Sequence, residues 1–87
     1  MDIHIGEYIK NNKGIKVGYL LGFKRFGEVL IGWSLYNKNK EQVPFDKYVA
    51  KAIAFVRAST FEDLKWPSSL HSKILKFNER CHKYFKV

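Results

Sequence analysis

Apolar and polar residues alternate through the first 36 residues, with the period of two that is typical of β-strands. Turn signals separate the alternating stretches at Asn11–Gly14 and around Arg25–Gly27, where Asn and Gly tolerate tight-turn backbone conformations. The pattern predicts an antiparallel meander of three strands. The first strand, containing Ile3, Ile5 and Ile9, has the weakest alternation.

The predicted strands have two unlike faces. We expect the two helices to cover the large apolar face and the smaller, mixed face to be solvated. The large apolar face contains Tyr19, Leu21, Phe23, Val29, Ile31, Trp33 and Leu35. The mixed face contains Gly18, Leu20, Gly22, Leu30, Gly32, Ser34 and Tyr36.

A helical period replaces the alternation after residue 43. Proline suits the first helical position and Asp46 complements the helix dipole, so the pattern predicts a helix from near Pro44 to about Ala58. A line of small residues, Ala50, Ala54 and Ala58, would allow another element to approach this helix closely. Its wide apolar face comprises Tyr48, Val49, Ala52, Ile53, Phe55 and Val56.

A second helix is predicted near the end of the chain. Ser59 and Thr60, with acidic residues three positions later, predict capping boxes for a short turn through Leu64, and Pro67–Ser69 opens the final helix. The apolar stripe of that helix is Leu70, Ile74, Phe77, Cys81 and Tyr84. We therefore expect residues 1–87 to form a single α+β domain, a three-stranded antiparallel meander followed by two helices packed on one face of the sheet.

The net charge of the chain indicates which class of partner it attracts, namely acidic molecules. The chain has 16 basic and 8 acidic residues, a net charge of +8, and the surplus is greatest after Ser68. A basic surface of this kind favours polyanions, most often nucleic acid. Most of the cations are lysines, which act as point charges, so contact with the phosphate backbone is favoured over reading of base edges.

Two clusters of residues are candidates for nucleic-acid contact. Lys24, Arg25 and Phe26 lie at the predicted hairpin tip, where an exposed aromatic ring can stack on a base. Along one side of the last helix lie Lys73, Lys76, Arg80 and Lys83. The alternatives are that Phe26 folds back over the sheet edge and that the helix side is only solvated. A further binding site is possible where the third strand meets the middle helix, near Ser34 and Asp46.

No residue pattern specifies an enzyme. Of the three histidines, His4, His71 and His82, the last two lie eleven residues apart on one predicted helix, about 16 Å along its axis, which is too far to share a metal. Cys81 belongs to an apolar stripe where a core thiol is expected. We expect no catalytic residue, no metal and no cofactor; an enzyme would need a cleft with a polar cluster. One cysteine, no long apolar run and no signal-peptide pattern predict a cytoplasmic protein without a membrane span.

The stretch from Val29 to Ala58 resembles a group of small uncharacterised proteins of bacteriophages and related mobile elements, whose pattern is G-W-S-L-C, F-D-K and I-A-x-G-R-A, with an ending near R-Y-F. The matching segments here are Ile31–Leu35, Phe45–Lys47, Ala52–Ala54 with Arg57–Ala58, Leu64–Leu70 and Arg80–Phe85. This chain departs from the pattern at Tyr36, where Cys is usual, and at Val56, where Gly is usual. The resemblance implies a phage-type origin, hence the host cytoplasm, but it carries over no activity, because the group has no assigned function.

These observations favour a non-enzymatic, phage-encoded binding module that contacts nucleic acid mainly through backbone electrostatics. The alternative partner is a host protein with an acidic surface, which the module would bind and modulate.

Overall fold

The computed structural model describes residues 4–36, 44–60 and 66–86. Within these residues, β1 (His4–Lys10), β2 (Lys16–Arg25) and β3 (Glu28–Leu35) form an antiparallel sheet with β2 in the centre. The helices α1 (Lys47–Ser59) and α2 (His71–Phe85) follow, and a single 3₁₀ turn at Ser68–Leu70 leads into α2. The predicted α+β order, a meander followed by two helices that pack against it, is confirmed. The capping turn predicted through Leu64 lies outside the described residues.

The two helices cover opposite faces of the sheet, which corrects the expectation of one shared face. Both faces of the sheet carry large apolar side chains, so both must be buried. Against α1 the buried cluster is Tyr19, Leu21, Phe23, Ala50, Ala54 and Ala58. Against α2 it is Ile9, Leu20, Ile31, Leu70, Ile74, Phe77 and Cys81.

The register of the β2–β3 hairpin explains this correction. Arg25 pairs with Glu28 across a two-residue loop, so Phe23 lies opposite Leu30 rather than beside Val29. Residues directly opposite in an antiparallel pair share a face, and a shift of one residue exchanges the two faces of a strand. Val29, Ile31 and Trp33 therefore face α2, whereas Leu30, Gly32 and Ser34 face α1.

Helix α1 approaches the sheet through small residues. Asp46 is its N-cap: the carboxylate accepts hydrogen bonds from the backbone N–H groups of Tyr48, at 2.8 Å, and Val49, at 3.3 Å. The three alanines of the small-residue line are the buried face of α1. A Cβ atom on Gly32 would overlap the backbone carbonyl oxygen of Ala54. The wide apolar face predicted for α1 is therefore the outer face, and most of it is exposed.

Helix α2 packs against the sheet with larger side chains. Its buried residues Ile74, Phe77 and Cys81 follow the predicted stripe, but Tyr84 does not, because 54% of it is exposed. The neighbouring Phe85 is half-buried and packs against the core instead. Gly22 of β2 leaves the space that Phe77 and Cys81 occupy.

We predict that Gly32→Ala lowers the free energy of unfolding by about 3 kcal/mol, because the new methyl group meets helix backbone that has no rotamer to relieve the clash. Urea denaturation measures the loss. Gly22→Ala is the matched control and should cost less, because its nearest obstacle is the Cys81 side chain. Equal losses in the two variants would contradict the close backbone approach of α1.

Candidate functional site

The four basic residues predicted on one side of the last helix do lie together on α2. At 100° per residue, they fall within an arc of about 80°, and the row is about 15 Å long. All four are exposed: Lys73, Lys76, Arg80 and Lys83. Because the opposite side of α2 is fixed in the core, this row has a defined direction relative to the sheet.

One member of the row is already engaged. A guanidinium nitrogen of Arg80 donates to a carboxylate oxygen of Glu7 on β1 at 2.8 Å, and both side chains are about half exposed. Exposed pairs of this kind contribute little stability, but this one orients Arg80 toward the β1 edge. Among the described residues, no ion pair involves Lys73, Lys76 or Lys83.

Tyr84 adds an exposed ring beside this row, and sequence reasoning missed it. By helical rotation it lies about 20° beyond Lys73. Either Tyr84 or Phe85 continues the apolar spacing from Cys81, so the period alone does not decide which ring is buried. We call the set of Lys73, Lys76, Arg80, Lys83 and Tyr84 the basic face.

The residues of the hairpin tip are divided between the two faces of the sheet. Lys24 is paired with Val29 on the α2 side of the sheet. The Arg25 guanidinium lies over the Phe23 ring, 5.2 Å from its centroid, on the α1 side. Phe26 is 95% exposed, so the alternative in which it folds back over the sheet edge is wrong. Of the two tip cations, Lys24 thus lies on the same side of the sheet as the basic face and Arg25 on the opposite side.

Phe26 occupies a backbone position that does not suit it. Its φ angle is 52° and that of Gly27 is 80°, so both loop residues are left-handed, as in a type I′ turn. Asn-Gly is favoured there, whereas a bulky residue costs of the order of 1 kcal/mol. Neither local backbone preference nor burial explains an exposed Phe at this position. Phe26 is therefore a candidate for a functional role.

The outer face of α1 carries apolar side chains of unusual size for a surface. Tyr48, Val49, Ile53, Phe55 and Val56 are all between 40% and 72% exposed. Contiguous exposed apolar surface is typical of interaction sites. We call the set of Tyr48, Val49, Ile53, Phe55 and Val56 the apolar face.

Cations lie at both edges of the apolar face. On one edge Lys51 reaches toward Tyr8 and Tyr19, with its ammonium nitrogen 5.6 and 5.5 Å from the two ring centroids. On the other edge, Arg57 donates to the Trp33 carbonyl at 3.0 Å and stacks on the Trp33 ring at 3.8 Å. The Trp33 carbonyl, on the open edge of β3, is therefore already hydrogen-bonded to Arg57. This contact protects the edge strand from pairing with another strand.

A cleft of about 770 Å³ lies between the end of β3 and the start of α1. Its walls are mainly apolar, including Leu35, Phe45, Val49 and Ile53, with Lys16, Asp46 and Lys47 among the polar residues. This is the place where a binding site was considered possible from the sequence.

Ser34 lies among the residues that line the cleft and is only 3% exposed. Its hydroxyl has no hydrogen-bond partner among the described residues. Buried hydroxyl groups are usually paired, so an unpaired one beside a cleft is a candidate contact for a bound group.

The buried thiol of Cys81 is not suited to nucleophilic chemistry. Burial raises its pKa to about 11, an effect that the nearby Arg80 charge only partly opposes. At neutral pH the group is therefore a thiol rather than the reactive thiolate. Within residues 4–36, 44–60 and 66–86, no group of three or more His, Cys, Asp or Glu side chains is placed to hold a metal.

Among the described residues, no helix combines the length and the apolar character needed to cross a membrane. Comparisons with protein-family models, curated proteins and solved structures give no match for this chain. The resemblance to small phage proteins stays a prediction.

We predict that stability falls as the pH rises from about 9 to about 11. In this interval the unfolded chain has lost the Cys81 proton while the folded chain retains it, so deprotonation favours unfolding. Urea denaturation at several pH values measures the effect. Cys81→Ala should flatten the decline, leaving the contribution of Tyr19, whose pKa is also raised by burial. An unchanged decline in Cys81→Ala would show that Cys81 is not its source.

Proposed function

We propose that this protein is a non-enzymatic, phage-encoded module of the host cytoplasm that binds nucleic acid through the phosphate backbone. The observation that carries the proposal is the row of exposed cations on one side of α2. The net charge of +8 supports it by attracting polyanions over a longer range.

The basic face has the chemistry of a phosphate-tracking surface. Lys73, Lys76 and Lys83 are exposed, have no ion-pair partners among the described residues, and project from a helix anchored in the core. Lysine ammonium groups recognise phosphates as point charges without selecting bases, so binding should be salt-sensitive and show little sequence preference. The ring of Tyr84, at the margin of the row, would stack on an unpaired base.

We predict that replacing Lys73, Lys76 and Lys83 together by Gln weakens binding to duplex DNA. The plot of log affinity against log salt should become shallower by about 3, because about 0.9 counterions are released for each neutralised phosphate. Fluorescence anisotropy at about 50 to 200 mM salt measures both the affinity and the slope.

The matched control replaces Lys10, Lys13 and Lys47 by Gln, which removes the same charge from sites outside the basic face. This control should keep most of the affinity and the slope. Equal losses of affinity in the two variants would show that net charge, and not the position of the lysines on the basic face, determines binding. Absence of binding to duplex and single-stranded oligonucleotides at micromolar protein and low salt would reject the proposal and favour the alternative, an acidic host protein.

We predict that the hairpin tip contributes stacking on single strands. Phe26→Asn should raise the thermal midpoint, since Asn-Gly suits the type I′ turn. The same change should lower single-stranded affinity by about fivefold or more, because aromatic stacking is lost. Phe26→Trp, which keeps a ring, should retain the affinity. Wild-type affinity in Phe26→Asn would exclude a role for the ring.

A further inference from the structure

The outer face of α1 is apolar although the inner face of the same helix is already in the core. A helix that is apolar on all sides is normally buried on all sides. Here the inner face consists of three alanines, while most of the large side chains of the apolar face point away from the sheet. Phe55, at one margin of this face, stacks on the Phe23 ring of β2 with 5.6 Å between the ring centroids, and 45% of it is still exposed. The apolar face therefore has the amino-acid composition of one side of a protein–protein interface.

Three of its residues form a row that a helix can pack against. Val49, Ile53 and Val56 have the i, i+4, i+7 spacing of one helix stripe and extend about 10 Å along the axis. Val49 and Ile53 also line the cleft, so the row leads into it. A partner helix that follows the row would place one of its side chains at the cleft.

The cleft offers that side chain an apolar wall and one polar contact. Phe45 and Leu35 provide the wall, and the buried Ser34 hydroxyl has no hydrogen-bond partner in the part of the chain that the structure describes. A bulky side chain that carries a hydrogen-bonding group, such as Trp or Tyr, satisfies both features. Such aromatic anchors in pockets are frequent hot spots of protein interfaces.

The charges around the apolar face select an acidic partner. From Lys47 to Ser59, helix α1 carries three cations and no acidic residue, and Lys51 and Arg57 lie at opposite edges of the face. The carboxylate of Asp46 is used in capping the helix. In a symmetric pair of two copies these cations would lie close together and repel each other, so the charge pattern disfavours self-association.

We infer that the apolar face docks an acidic amphipathic helix of another protein, with one bulky side chain of that helix entering the cleft beside Ser34. This inference is independent of nucleic-acid binding. The apolar face and the basic face belong to helices on opposite sides of the sheet, so both can be occupied together.

The test selects peptides of about sixteen residues from a random display library on the immobilised full-length protein, a length that gives about four helical turns. The enriched peptides should be acidic, with bulky apolar residues at helical spacing and an aromatic residue among them. Isotope-edited NMR on the wild-type protein should place their largest shift changes on α1 and around Ser34. Enrichment of basic or non-periodic peptides, or of none, would overturn the inference.

Matched variants then locate the contact. Val56→Glu should weaken the selected peptides by about tenfold or more, since it places an acid within the apolar row. Leu75→Glu is the control, because it introduces the same change at a side chain of α2 that is exposed to a similar extent. Lys47→Glu should weaken binding by about threefold, as expected for a charge at the rim of an interface.

The outcomes separate the inference from its rivals. Equal effects of Val56→Glu and Leu75→Glu would overturn it. So would a concentration-dependent dimer in sedimentation that Val56→Glu abolishes, because the occupant would then be a second copy. Val56→Glu should leave oligonucleotide binding unchanged apart from its small charge effect, whereas substitution of the basic-face lysines should leave peptide binding nearly intact.

Discussion

The contact between α1 and β3 at Gly32 determines the arrangement of the apolar side chains of this helix. With no side chain at Gly32, the helix backbone comes so close to the strand that only alanine fits between them. Most of the larger residues of α1 are therefore excluded from the interface and project outward, and Phe55 reaches the sheet only at the margin, where it stacks on Phe23. On the other face of the sheet Gly22 has the opposite effect, because its space receives the side chains of Phe77 and Cys81. The same residue type thus brings a helix backbone near on one face and accommodates larger side chains on the other.

Much of this fold can be predicted from local patterns, because each pattern reports one element. Alternation locates the strands, the helical period locates α1, and the alanine line indicates a close contact. The sequence pattern predicts a start of α1 near Pro44, but the helix begins at Lys47 because the Asp46 side chain caps it there. The strand register and the burial of each sheet face cannot be predicted from local patterns, because they depend on the partner strand. A loop with one residue more would place Phe23 beside Val29 with the same strand sequences, and both faces of the sheet are apolar. Only pairing in three dimensions decides between these registers.

Some features of the candidate surfaces can likewise be predicted from local patterns, whereas others depend on the tertiary structure. The basic row on α2 can be predicted because the core stripe fixes its direction, and only the choice between Tyr84 and Phe85 is left open. The cleft is harder to predict from the sequence, because Ser34 and Ile53 are distant in sequence and come together only once the strand register is set. The unpaired hydroxyl of Ser34 has no sequence signature at all. Phe26 is intermediate: its loop is evident from the sequence, but its exposure depends on the left-handed turn.

Opposite placement of the helices gives the module two surfaces of different chemistry. In a chain of 87 residues with 46% apolar composition, the core has limited volume, and some apolar side chains must lie at the surface. Scattered singly, such residues would need no explanation, but among the described residues five of the ten exposed large apolar side chains lie together on α1, between cations. The basic face lies on the far side of the sheet, so a polyanion bound there does not cover the apolar face. A protein held on α1 would thereby be brought to nucleic acid held on α2, and the three-stranded sheet fixes the geometry between them.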